Sequence, residues 1–314
     1  MWKVIARRLA LAIPLLLVVL TATFLLQQLI PGDPAAFVLG SSSTADQRTQ
    51  LDASFGLHRP LPAQYFSTFG HALKGDLGKS WTSGESVAHA VATALPVTLS
   101  LAVLATLLTF VLGTALGMLA AVRQGGRVDR AVQLAAATAS AIPGFWVAIG
   151  LVFLFAIKAG AFPATGYVPL SQSPGLWLHS LVLPVVALAL APLGPVVLQA
   201  RSAMVDVLGR DYIRSLRALG LPPWRIVLKH ALRNAAAPVV TTMGFNLIGL
   251  LAGTVLIEQV FSLPGLGSVL LTGVLGHDVP VVQGVVVFFA VAVVVVNLAV
   301  DLLVALLNPK ARQA

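Results

Sequence analysis

Seven of the chain's twenty Lys and Arg residues fall between Arg201 and Arg233, in a segment flanked by two apolar runs. They are Arg201, Arg210, Arg214, Arg217, Arg225, Lys229 and Arg233. A membrane protein keeps such a segment on the cytoplasmic side, because positive loops resist translocation. Asp211 suits an N-cap and Gly220 a C′ position, so a helix of about two turns is expected over 212–219. Tyr212, Leu216 and Leu219 share one face by spacing, and Arg210, Arg214 and Arg217 share another. Pro222 and Pro223 suit the first turn of a second helix. There Arg225, Lys229 and Arg233 form a stripe beside Trp224, Leu228 and Ala231, before Asn234 and Pro238 lead into the next span. Helix, glycine, two prolines and helix make a stiffer element than a linker needs. A cytoplasmic partner could push it as a lever; the other reading is an amphipathic helix lying on lipid.

The residue types that carry catalysis are present without their patterns. His58, His71, His89, His179, His230 and His277 are scattered and lack ligand spacing such as H-E-x-x-H. His230 reads as a packing or hydrogen-bonding residue. Gly78-Lys79-Ser80 looks like the tail of a phosphate-binding loop, but position 73, where that motif needs its first glycine, is Leu73. There are no cysteines, which excludes disulfides and thiolate metal sites. No cofactor is expected in this chain. Glu258 and Asp301 fall at span ends, where carboxylates reach water or a neighbour, so neither demands a proton relay. Asn246 and Asn297 lie deeper, where an amide serves either an interhelical hydrogen bond or a solute contact along a path or gate. An ion-coupled carrier would hold midplane acids, which these spans lack. The driving energy is therefore expected from a separate ATPase.

The solvent follows from composition: 58% hydrophobic and 10% charged residues, against roughly 25% charged in a soluble domain. Seven charge-free runs occur, and a bilayer core takes about 20 apolar residues per helix. The run 159–200 opens with Pro163, Gly166, Pro169, Pro174 and Gly175, leaving about 179–200 as a span. The run 259–277 carries Pro264 and four glycines, and reads as a short external or re-entrant element packed on protein. Six transmembrane helices remain, in an all-α polytopic membrane protein. With both termini cytoplasmic, the inner segments hold fifteen of the twenty basic residues. The net charge of +9 then reflects orientation and anionic lipid rather than nucleic acid.

Residues 1–30 comprise the N-terminus and first span, read as uncleaved despite its likeness to a signal peptide. Residues 31–90 form the one sizeable external stretch. Pro31, Gly32 and Pro34 end the first span, Ser41–Thr44 with Asp46 cap a short helix containing Gln47–Leu51, and a second helix covers Pro62–Leu73. This stretch is too small for a rich core and should lean on the membrane domain. Residues 91–314 hold the five-helix core with the 201–233 loop. Its spans 96–122 and 131–157 are joined by the basic turn Arg123–Arg130. Gly113 and Gly117 form a G-x-x-x-G pair suited to close helix packing. Pro143-Gly144 should kink the third span.

The 201–233 segment also carries a resemblance. Tyr212-Ile213-Arg214-Ser215-Leu216-Arg217-Ala218-Leu219-Gly220-Leu221, then Leu228-Lys229-His230-Ala231-Leu232-Arg233-Asn234 and Pro238-Val239, resembles the EAA loop of binding-protein-dependent ABC importer permeases, in the form of the dipeptide/oligopeptide/nickel group. Pro31-Gly32-Asp33-Pro34, Gly75-Asp76-Leu77-Gly78, Ile257-Glu258, Pro264-Gly265-Leu266-Gly267, Asp278, Pro280-Val281-Val282-Gln283-Gly284, Asn297, Asp301 and Asn308-Pro309-Lys310 resemble further segments of that group. The resemblance implies a type I ABC importer permease fold in a bacterial cytoplasmic (inner) membrane. It also implies a second homologous permease, two P-loop ATPase subunits that bind ATP and Mg, and an extracytoplasmic solute-binding protein. The residues expected to couple to the ATPase are Asp211, Tyr212, Ile213, Arg214, Arg217, Ala218, Gly220 and Leu221. The family usually has a small residue where Leu216 stands and often a lysine where Leu219 stands, so the apolar face here is larger. The solute would be a peptide or, on the same machinery, a nickel chelate, glutathione or another small solute. A channel, a secondary carrier or a non-transporting anchor are the readings from other classes.

Overall fold

The computed structural model describes residues 2–29, 34–40 and 43–307. Pro31-Gly32-Asp33, Ser41 and Asn308-Pro309-Lys310 lie outside the described residues. In chain order the helices are α1 Trp2–Gln28, α2 Pro34–Leu39, α3 Ala45–Phe55, α4 Leu61–Leu73, α5 Val87–Val122, α6 Arg127–Ala141, α7 Gly144–Leu151, α8 Pro174–Leu208, α9 Asp211–Ala218, α10 Pro223–Arg225, α11 Leu232–Val260, α12 Leu266–Leu275 and α13 Val279–Leu307. A π-helical stretch, Val152–Lys158, extends α7, and another, Ile226–Ala231, joins α10 to α11. Five of the described helices are long and apolar enough to cross a membrane, or six if the bent α6–α7 pair counts as one span.

The chain divides into two compact units. The first comprises Leu99–Leu263 with the chain from Val295 onward. Its centre is α8, packed by α6, α7 and α11. Small residues let the backbones approach. A Cβ on Gly113 would stand 2.6 Å from Val196 Cγ1, and one on Gly117 2.6 Å from both Ala200 Cβ and Val197 O. The G-x-x-x-G pair therefore serves packing inside the chain. Gly194 does the same for α6, facing Ser140 and the Ala136 carbonyl.

The expected kink is a full break: α6 and α7 diverge by 95°. Ile142 is extended (φ −87°, ψ 126°), as the residue before a proline prefers, and Pro143 can donate no backbone hydrogen bond. The second short helix expected after Pro222 is not separate either. From Pro223 the chain stays helical to Val260, so this arm of the basic segment runs straight into the following span.

The second unit comprises Trp2–Thr98 and Pro264–Val294. Thr44, the last residue of the expected Ser41–Thr44 cap, caps α3 in a reciprocal box with Gln47 rather than with Asp46. Helix α2 was not anticipated. The stretch leans on α1 through α4: Tyr65 meets Phe24 edge-on at 5.5 Å, and its hydroxyl lies 2.8 Å from Thr21 Oγ1. Val87, Val91, Ala94, Leu266, Val281 and Val285 form the core. The ten-residue α12 spans about 15 Å, half a bilayer core, and packs by Leu266, Gly267 and Gly273. Its N-terminal Leu266 N–H donates to Thr98 Oγ1 at 2.8 Å. Asp278, buried before α13, accepts from Ser80 Oγ, Thr82 N–H and Thr82 Oγ1 at 2.5, 3.2 and 2.9 Å.

Candidate functional site

The basic segment is built on an apolar seat. Met204 and Val207 from the end of α8, Ala121 from α5, Ile226 and Ala231 after the corner, and Ile213 from α9 form one buried cluster. Ile213 is fully buried, with Tyr212, Leu216 and Leu221 packed at the margin. The face expected from spacing is thus rotated. Ile213 is the anchor, while Leu219, expected beside Tyr212 and Leu216, is 75% exposed. Ile213 is the residue of α9 buried in the cluster with Met204 and Ile226, with Tyr212 and Leu216 partly buried against it.

Both ends of α9 are fixed locally. Asp211 is the first helical residue rather than the cap; Arg210 holds the cap position with no side-chain capping bond. The Asp211 carboxylate still sits where the helix dipole favours an anion, 3.4 Å from Arg214 Nη1. Both side chains are largely exposed, so this pair adds little stability. At the other end Gly220 takes φ +73°. Its N–H donates to Arg217 O at 3.0 Å and Leu221 N–H donates to Leu216 O at 3.2 Å, the paired bonds of a Schellman end. Leu216 and Leu221 both pack against the apolar seat beneath this end. Tyr212 Oη accepts from Asn234 Nδ2 at 3.1 Å, tying α9 to the base of α11.

What remains exposed is a mixed surface. Arg210, Arg214, Arg217, Ala218 and Gly220 are open to solvent, beside Leu219, Trp224 and Leu228. Arg225 lies over the Trp224 ring, 5.4 Å from its centroid.

Of the three residues expected along a path or gate, the structure brings one to a cavity. About 510 Å³ of open space within the first unit is lined by Pro143, Gly144, Pro192 and Asn246, among others. Asn246 Nδ2 is buried there without a hydrogen-bond partner. A broken helix at membrane depth is tolerated where it lines such a cavity. Glu258 and Asn297 do not line it. Glu258, expected to reach water or a neighbour at the end of its span, is fully buried, because α11 continues past it to Val260 and is covered there. Sequence reasoning passed over Asp129, which is buried and paired with Arg201. A lone acid inside the otherwise basic turn Arg123–Arg130 was the available signal.

A mostly helical chain, with five or six apolar helices among the described residues, a broken helix at a cavity and a basic element between two spans, fits the class of multi-pass membrane proteins that move solutes. Residues 113–313 match the model of the binding-protein-dependent transport system inner membrane component, and residues 1–102 match that component's N-terminal model. The chain belongs to this family of ABC importer permeases and is a multi-pass inner membrane protein. It is 39% identical over 312 residues to a candidate peptide transport system permease protein of Brucella abortus (strain 2308), covering 99% of each chain. It is 37% identical over 334 residues to the di/tripeptide transport system permease protein DppB of Pseudomonas aeruginosa (strain UCBPP-PA14), again covering 99% of each. Among solved structures, a chain of the MetNI methionine ABC transporter in an inward-facing conformation aligns with TM-score 0.57 and 21% identity. That alignment covers 69% of this chain and 96% of the other, and it shows a shared fold.

Proposed function

We propose that this chain is half of the translocation path of an ATP-driven importer of di- or oligopeptides. It works with a second homologous permease, two P-loop ATPase subunits that carry ATP and Mg, and an extracytoplasmic solute-binding protein. Both termini and the basic segment face the cytoplasm. One observation carries the coupling role: α9 is anchored inward by Ile213 while Arg214, Arg217 and Leu219 face outward. A helix lying on lipid would offer its apolar face to the bilayer, whereas here that face is occupied by the chain's own cluster. Cations beside exposed Leu219 and Trp224 suit a cleft with an apolar floor and an acidic rim. Closure of the ATPases on ATP would push α9, and through Met204 and Val207 the end of α8, giving alternating access. Asn246, a polar residue lining the cavity beside the Pro143-Gly144 break, is the residue assigned to meet a solute. Peptide as the solute rests on what the end-to-end relatives are named for.

The test is co-expression with the neighbouring subunits, purification, and ATP hydrolysis with the binding protein loaded with short peptides. Recovery of the ATPases, with hydrolysis raised by peptide-loaded binding protein, is the expected result. A chain recovered without any ATPase sinks the importer reading. Stimulation by a nickel chelate or glutathione and not by peptides would replace the solute.

A further inference from the structure

Asp129 lies in the first turn of α6, and its two carboxylate oxygens collect four donors. Oδ1 accepts from Arg201 Nε at 2.5 Å and Gln133 Nε2 at 2.8 Å; Oδ2 accepts from Arg201 Nη2 at 2.7 Å and Gly125 N–H at 2.8 Å. The carboxylate is thus gripped by a bidentate guanidinium fork, the most directional ion pair two side chains can form. Arg201 lies on α8 just ahead of Ala203 and Met204, which belong to the apolar seat of α9. Gly125 belongs to the turn between α5 and α6, at φ +76°. The pair therefore ties the end of α8 that carries α9 to the foot of α6, and α6 ends at the 95° break beside the Asn246 cavity.

The other close approach between α6 and α8 has a different character. There Gly194, without a Cβ, lets the α8 backbone come against Ser140 Oγ and the Ala136 carbonyl in a van der Waals contact. The two-bonded fork adds to this packing a directional link that holds the axial register of α8 against α6. A 15-residue α6 is about 22 Å long, so a displacement held at its foot reaches its far end at the break.

We infer that Asp129 and Arg201 are positioning residues that transmit displacement of α9 from α8 to α6, and so to the α6–α7 break. This rests on the coupling role proposed for α9. Without the pair the ATPases still dock and hydrolyse, but α8 slips against α6 and the cavity end does not follow.

The experiment uses the whole complex in lipid nanodiscs with its binding protein. If the unsubstituted complex shows no binding-protein stimulation, the coupling reading fails first and separately. If it does, Asp129→Asn and Arg201→Gln are expected to keep assembly and basal hydrolysis while losing stimulation and uptake by about five- to a hundredfold, the usual span of a coupling between sites. Arg201→Lys keeps the charge without the fork and is expected to fall with Arg201→Gln. The chain has no native cysteine, so Asp129→Cys with Arg201→Cys, joined by a short reducible bis-methanethiosulfonate, supplies a replacement link when the partner subunits are cysteine-free. Restored stimulation that disappears on reduction supports transmission and excludes a merely structural role. Full stimulation in assembled Asp129→Asn complexes overturns the inference. So does a cross-linked double variant that stays as poorly stimulated as the same protein before cross-linking, which decides the matter even if the single variants assemble badly.

Discussion

Gly220→Val should uncouple the complex, and its neighbourhood isolates the cause. A Cβ at Gly220 would meet nothing within 4 Å, so the site has open space around the new carbon. The whole penalty comes from φ +73°, a region that costs an L-residue roughly 1–2 kcal/mol and a β-branched one more. If the end relaxes instead, the bonds to Arg217 O and Leu216 O are lost at about 1 kcal/mol each. An eight-residue helix does not persist by itself in water. Its order rests on this cap and on burying Ile213, worth about 1.5–3 kcal/mol. The penalty is comparable with the burial of Ile213, and the ratio of ordered to disordered α9 should drop by roughly 5- to 30-fold. The assay is peptide- and binding-protein-stimulated ATP hydrolysis in nanodiscs, with hydrogen exchange across 211–221. The expected order of activity is glycine, then Asn, then Ala, then Val, because Asn tolerates the left-handed region. A valine variant matching the asparagine variant in both measurements would refute the argument that a left-handed cap holds the lever.

Four further expectations concern α9, the α5–α8 crossing and the cavity. Ile213→Ala should cost about 2–5 kcal/mol at the seat, read as faster exchange in α9, while Arg214→Glu with Arg217→Glu should leave exchange unchanged and reduce co-purification of the ATPases. Unchanged recovery of the partner in the double reversal would return α9 to a lipid-lying role. Gly117→Ala should lower thermal stability by about 1–3 kcal/mol, since its Cβ meets Ala200 and the Val197 carbonyl; an unchanged melting temperature in detergent contradicts the close crossing of α5 and α8. Asn246→Leu should leave the melting temperature equal or higher, because the Nδ2 group it removes is buried without a partner, yet lower peptide uptake. Normal uptake would mean that the amide serves no solute.

The apolar runs, a helix cap within Ser41–Thr44, the glycine at position 220 and a kink at Pro143-Gly144 were all legible in the sequence. Each depends on residues within a few positions, where covalent geometry and local hydrogen bonding decide. The basic segment was legible for the same reason, as were the family segments that line up along the chain. Other features needed atoms from distant parts of the chain. Spacing allowed α9 to present Tyr212, Leu216 and Leu219 together, but the position of Met204 and Ile226 buried Ile213 and left Leu219 exposed. Glu258 at a span end could reach either water or a neighbour, and only the packed chain shows that it is buried. Asp129 and Arg201 stand 72 residues apart, and nothing in either neighbourhood announces the other. Local preference decides where a helix starts, bends and stops. Which of its sides is buried, and which charge it meets, is decided by the surface that tertiary packing lays against it.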